Sequence, residues 1–287
     1  MRKVCFFAII CILLNCIGGC AIVSCGDDYT KQKENPGYST VVPVYSDDAQ
    51  LEVMVFWMPP IDEQHYIWMK EYGVTAVLVD GKYDSTSDGN RQKILQMCNE
   101  LDMDVYFIMD RERDGREIQS YYKYLEYESF AGFYCDEPIT KGHIDNIAGQ
   151  AAAIYALDPS LRLICNMLGG YGNFRWWYSS DAAYESALGS GEIFLSYDAY
   201  LQYMKETVYE VYDNTVLSAT NYPLMDVNYG YEYSLDNSWL QILGNCRQIA
   251  NEVGRDMWQF LATTAYHAGD QTAYHRQPTE AEIRWQS

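Results

Sequence analysis

Positive charge is what this chain has least of: 20 Lys and Arg stand against 40 Asp and Glu, a formal net charge of -20. That balance argues against nucleic acid or an anionic membrane surface as a partner and favours neutral ligands. A long apolar run is also missing. Val4 to Ile17, behind Arg2 and Lys3, is too short for an ordinary membrane span and has the length of a signal-peptide core. Beyond Cys25 only Cys98, Cys135, Cys165 and Cys246 remain, without metal-ligand spacing. Each lies in an apolar run, so the expected role is that of a small buried hydrophobe, with no structural zinc and no cofactor implied. No glycine-rich phosphate loop follows the first strand, where Met58-Pro59-Pro60 stands instead, and this tells against a dinucleotide-binding fold.

What is present describes a globular protein. The chain has 287 residues, 48% of them hydrophobic and 21% charged, enough for one large domain. Its 27 tyrosines and 7 tryptophans suit the faces of sugars, and equally the filling of a core. Residues 1–25 read as a leader. Ile17-Gly18-Gly19-Cys20 and Ile22-Val23-Ser24-Cys25 both resemble the bacterial lipobox, whose cysteine is lipidated. Cys25 is preferred, because Gly26-Asp27-Asp28 resembles the acidic export tag of Bacteroidetes lipoproteins. The resemblance implies a lipid anchor on the outer membrane, facing the cell surface or the periplasm. Residues 26–48 are polar, carry Pro36, Gly37 and Pro43, and read as a tether with one short strand at Ser39 to Tyr45.

From residue 49 the chain alternates strands and helices. The spacing predicts strands at Leu51 to Trp57, Thr75 to Val79, Val105 to Met109, Phe130 to Cys135, Leu161 to Cys165, Ile193 to Tyr197 and Met257 to Ala262. Between them, helices run from Asp62 to Tyr72, around Ile94 to Leu101, from Glu117 to Tyr127, around Ile144 to Tyr155 and from Trp239 to Val253. Repeated βα units mean a parallel sheet. Seven of them favour a (β/α)8 TIM barrel over a doubly wound sheet, truncated before its eighth strand at Ser287 or with Ser39 to Tyr45 covering the gap. Sites on such barrels lie at the C-terminal strand ends. Asp80, Asp110, Asp136 with Glu137, Asn166 and Asp198 close five consecutive predicted strands.

The fourth strand carries the sharpest signal. Its apolar run stops on Asp136-Glu137-Pro138, and Pro138 can neither extend the strand nor let Glu137 settle into a helix. Adjacent carboxylates repel and aromatic walls desolvate them, so one is expected to hold its proton near neutral pH and serve as a general acid. A solvated Asp-Glu turn is the alternative. Other candidates fall at the same end: Tyr197 and Gln259 as ligand contacts, His267 as a ligand contact or equally a surface residue, and Trp176, Trp177, Tyr222, Tyr229, Tyr231 and Tyr233 as ring-stacking faces or as core. Arg111 is read as neutralising Asp110 or orienting substrate.

With these residues placed, residues 51–287 resemble the clan A glycoside hydrolases, in particular barrel proteins of gut Bacteroidetes similar to β-galactosidase-like enzymes. In that clan the fourth strand ends in Asn-Glu-Pro, with Glu as acid/base. Glu137 takes that place, and Asp136 stands where a subgroup reading Asp-Glu-Pro has its aspartate. Leu195-Ser196-Tyr197-Asp198-Ala199-Tyr200 looks like that subgroup's sixth strand, and Arg276 to Gln286 like its helix after strand seven. The resemblance implies hydrolysis of a glycosidic bond in a poly- or oligosaccharide. One departure matters: where the clan has a nucleophilic Glu at the end of strand seven, this chain has Gln259, Thr263 and Thr264. A retaining pair needs carboxyl groups about 5–5.5 Å apart, whereas Asp198 acting as base on a water at about 6.5–9.5 Å implies inversion. Without a nucleophile the barrel reads alternatively as a glycan-binding module; a structural or adhesion lipoprotein explains neither the acid pair nor the rim.

Overall fold

The computed structural model describes residues 21–24, 52–56, 58–169, 175, 178–220 and 239–261, with 266–267, 274–275, 279 and 281–282. Strands β1 (Ala21–Ser24), β2 (Glu52–Val55), β3 (Ala76–Val79), β4 (Asp104–Met109), β5 (Phe130–Asp136), β6 (Arg162–Met167), β7 (Thr215–Ala219) and β8 (Met257–Leu261) form a closed barrel in chain order. β2 through β8 are all parallel, the arrangement expected of seven βα units. The gap between β2 and β8 is filled by β1, antiparallel to both, with Ala21 opposite Val55 and Leu261. Sequence analysis placed that segment in the leader; the alternative filler, Ser39 to Tyr45, lies outside the described residues.

Helices α1 (Glu63–Glu71), α2 (Asp88–Glu100), α3 (Lys141–Leu157), α4 (Asp181–Ser190), α5 (Tyr197–Met204) and α6 (Trp239–Val253) lie between the strands. The link from β4 to β5 is a 3₁₀ stretch, Arg116–Tyr124, where an ordinary helix is expected. Capping explains the starts: Asp62, Thr140, Ser180 and Ser196 each accept a hydrogen bond from the N–H three residues on. Leaving α1 and α6, Gly73 and Gly254 adopt positive φ.

Strand alternation divides the core in two. Met54, Ala76, Leu78, Tyr106, Tyr134, Ile164, Val216, Trp258 and Phe260 pack inside the ring. The opposite rows, among them Val77, Phe107, Phe133, Cys135, Leu163 and Met257, pack outward with residues from the helices. At the N-terminal end of the ring the Arg162 guanidinium bridges Glu52 and Asp104, at 3.1 and 3.3 Å, and lies over the rings of Tyr106 and Trp258. Gly132 makes this register possible. Its φ is 149°, and a Cβ there would sit 2.0 Å from the Arg162 carbonyl oxygen. Cys98, Cys135, Cys165 and Cys246 are buried and unbridged, and burial pushes the thiols of Cys165 and Cys246 up to about 12.

One expected strand is a helix. Ile193 and Phe194 are buried, but Ser196 caps α5 by accepting the Ala199 N–H, so Tyr197 and Asp198 open a helix. The sixth parallel strand is β7, from a segment that sequence analysis left unassigned.

Candidate active site

β5 ends in a kink. Tyr134 points into the ring, so by alternation Asp136 does too, and an unbroken strand would send Glu137 outward with Phe133 and Cys135. Glu137 instead adopts φ 36°, a left-handed conformation costing a non-glycine residue about 1–3 kcal/mol. The turn brings its carboxyl to Thr220, which continues the inward row of β7 after Val216 and Ser218. Two groups hold the strained segment. The Glu137 N–H donates to the Asn166 carbonyl at 2.9 Å, and the Arg111 Nη1 donates to the carbonyls of Glu137 at 2.8 Å and Asp136 at 3.2 Å.

The side chains form one polar relay across three strands. Asn166 donates from its Nδ2 to Asp136 Oδ1 at 2.8 Å and to the Thr220 hydroxyl, while its Oδ1 accepts from Ser218 at 3.2 Å. Asp136 Oδ1 accepts a second bond from the Tyr134 hydroxyl at 3.0 Å. With its oxygen accepting from Asn166, Thr220 has its own proton left to donate to Glu137. Burial, and secondarily the neighbouring Asp136, raise the Glu137 carboxyl from an ordinary 4.5 to about 7, against the opposing pull of Thr220 and Arg111. Glu137 is only partly buried, so the acid stays within reach of a ligand.

The remaining candidates divide. Asp80 and Asp110 end β3 and β4 as expected, but each carboxylate closes a turn: Asp80 accepts the Lys82 N–H at 3.1 Å, and Asp110 accepts the Glu112 N–H at 2.9 Å. Lys82 and Arg113 also pair with them, at 3.6 and 3.4 Å. Asp136 cannot make this turn, because the residue two on is Pro138, which has no N–H, and its carboxylate goes to Asn166 and Tyr134. Asn166 is wholly buried and its amide is committed within the protein, so it positions the acids rather than touching substrate. Tyr197 donates its hydroxyl to the Leu168 carbonyl at 2.9 Å and tethers α5 beside the end of β6.

Two expectations are corrected outright. Asp198 ends no strand; it is exposed in the first turn of α5, because the Ser196 cap starts a helix there. Gln259 sits in the row of Met257, facing outward, while Trp258 and Phe260 face the interior. Trp176, Trp177, Tyr222, Tyr229, Tyr231, Tyr233, Thr263, Thr264 and Cys25 lie outside the described residues. His267 is in a two-residue strand (β9, Tyr266–His267) paired with β10 (Tyr274–His275) beyond β8. Ser218 and Thr220 are not among the expected residues; the β-branched pair Thr215-Val216 followed by Leu217 is the strand signal that could have found them. Among the described residues no cluster of His, Cys, Asp and Glu is arranged to hold a metal ion.

Fold and site together define a seven-stranded parallel βα barrel, closed by one antiparallel strand, with two adjacent acids at the C-terminal end of β5. No protein family and no curated protein matches the sequence. Among solved structures the chain aligns with a candidate alpha-L-fucosidase from Bacteroides thetaiotaomicron VPI-5482, at TM-score 0.45 and 15% identity over 68% of this chain and 65% of that one. It also aligns with the virulence factor SghA bound to its substrate analog salicin, at TM-score 0.33 and 11% identity over 57% and 52%. A third is the β-mannanase of the blue mussel Mytilus edulis, at TM-score 0.33 and 14% identity over 61% and 64%. The chain spans less than two thirds of the length of each of these proteins.

Proposed function

We propose that the protein is a glycoside hydrolase acting on a poly- or oligosaccharide, with Glu137 as the proton donor. The observation that carries this reading is a carboxyl held near pKa 7 by burial and an adjacent acid at the C-terminal end of a barrel strand. A carboxyl raised towards neutral pH keeps a proton to give where an ordinary one has lost it, as a general acid requires. The glycosidic C–O bond breaks with its electron pair going to the leaving oxygen, and Glu137 supplies the proton that oxygen needs. Positive charge develops on the sugar, and the resulting Glu137 carboxylate is stabilised by Thr220 and Arg111. The oxygen of a water bonds to the anomeric carbon, and the proton that water gives up passes to solvent, from which Glu137 is protonated again.

A second reading, a glycan-binding module, is favoured by one observation: β8 turns Trp258 and Phe260 inward and offers no carboxylate from Met257 to Leu261. The two are separated by incubating the protein with polysaccharides and aryl glycosides. A hydrolase releases reducing ends, and Glu137→Gln lowers kcat on glycans with poor leaving groups by about 10²–10⁴-fold while sparing activated aryl glycosides. Saturable binding without cleavage establishes the module instead.

The same proposal includes a lipid anchor at Cys25, holding the protein on the outer membrane. Cleavage there takes β1 out of the ring and leaves the edges of β2 and β8 facing a slot; cleavage at Cys20 keeps β1 in the mature chain.

A further inference from the structure

Glu137 occupies a left-handed conformation directly before a proline, which nothing local favours. Besides the bond of its N–H to the Asn166 carbonyl, the hold on it comes from the loop after β4. Arg111 on that loop donates one nitrogen to both carbonyls of the strained segment, at 2.8 and 3.2 Å. The loop is in turn fastened to α3. Asn146 donates to the Arg111 carbonyl at 3.2 Å, and the wholly buried Gln150 donates to the carbonyls of Asp110 and Arg113 at 2.7 and 2.6 Å. Two glycines allow this approach: a Cβ on Gly115 would lie 2.9 Å from the Gln150 Cα, and one on Gly149 would lie 3.1 Å from the Asp114 carbonyl oxygen. α3 begins just after Glu137, capped by Thr140, so the acid's own following helix grips the loop that grips the acid.

We infer that Arg111 is a positioning residue for Glu137: anchored to α3, its guanidinium clamps the kinked end of β5 and aims the Glu137 carboxyl at Thr220. This rests on the reading of Glu137 as proton donor. Charge alone is a different role with the opposite signature. Among the described residues, Asp136 and Arg111 act on Glu137, and Glu137 acts on Tyr200 from α5; Arg111 acts on Cys135 and His143, as Asp110 does on both and Glu112 on His143. Removing a cation that acts only through its field leaves the carboxyl above its present value of about 7. Removing a clamp lets the carboxyl turn into water and fall towards its ordinary 4.5.

The test compares wild type, Arg111→Met and Arg111→Lys, reading the Glu137 ¹³C carboxyl titration, assigned by its loss in Glu137→Gln, and the pH profile of glycan cleavage. In Arg111→Met the titration and the alkaline limb of the profile move to lower pH. The same variant loses about 10²-fold in kcat on glycans with poor leaving groups, the usual consequence of misplacing a catalytic group by about 1 Å. Arg111→Lys, whose ammonium can donate to both carbonyls, restores most of each. An unmoved titration, or one displaced to higher pH, overturns the inference. Should Arg111→Met not fold, Asn146→Ala keeps the guanidinium but loosens its loop; it moves the titration the same way by a smaller amount, and no movement overturns the clamp. If wild type cleaves no glycan, the proton-donor reading fails by itself, and the titrations still decide the clamp.

Discussion

Replacing Glu137 by Gln is expected to make the protein more stable at neutral and alkaline pH and no more stable in acid. Folding raises the carboxyl from 4.5 to about 7, so the folded state binds its proton more tightly than the unfolded chain does. A carboxyl shifted this way contributes its full stability below pH 4.5, and loses that contribution as pH climbs through 7. The difference between 4.5 and about 7, at about 1.36 kcal/mol for each pH unit, is on the order of 3 kcal/mol, the cost of keeping a charged Glu137 in place above pH 7. Gln has the same shape and kink but no charge to bury. In a chain of this size about 2–4 °C in Tm accompanies each kcal/mol. Thermal unfolding of wild type and variant from pH 4 to 9 therefore gives a Tm difference near zero at pH 4, rising between pH 4.5 and 7 and level above. Comparing the two proteins at each pH cancels the titration of the Asp and Glu remote from Glu137, which leaves the adjacent Asp136, among the described residues, as the one acidic neighbour in direct interaction with it. A pH-independent difference, or a Gln variant less stable at pH 8, refutes the raised carboxyl and with it the argument for a proton donor.

Thr220→Val removes the hydroxyl that holds the Glu137 carboxyl down, so the Glu137 titration moves above 7, opposite to Arg111→Met; a fall shows that the hydroxyl does not face the acid. Gly132→Ala drives a Cβ to 2.0 Å from a backbone oxygen that cannot yield, and costs more than the about 1–3 kcal/mol of a strained backbone alone; a Tm near wild type contradicts the register of β5 on β6. Cys25→Ser is expected to abolish lipid labelling of the expressed protein, and labelling that persists there but disappears in Cys20→Ser moves the anchor to Cys20 and keeps β1 in the mature chain.

Most of the barrel is legible in sequence because a buried parallel strand is a short apolar run between turn signals, and each run sits within a few residues of its own stop. Six of the seven predicted parallel strands stand where their runs do. The failure at Ile193 to Tyr197 shows the limit: apolar runs of five residues suit strand and helix alike, and a single serine cap three residues from the Ala199 N–H decides for helix. Asp80 and Asp110 read as binding acids, although the donors that close their turns lie in the sequence. Both have an N–H two residues on and close their turns with it, whereas Pro138 denies that bond to Asp136, so one residue's chemistry separates two turn-closing aspartates from one whose carboxylate goes to Asn166 and Tyr134. What the sequence alone determined is therefore what depends on neighbours along the chain: strand periods, the stop at Pro138, the acid pair itself. The proton affinity of Glu137 is only partly of that kind. Asp136, which helps raise it, is a neighbour along the chain, but the burial that raises it most, and Thr220 beyond β7 and Arg111 from the β4 loop that oppose the rise, come together only when the sheet closes, because desolvation and charge act across space and take no account of distance along the chain.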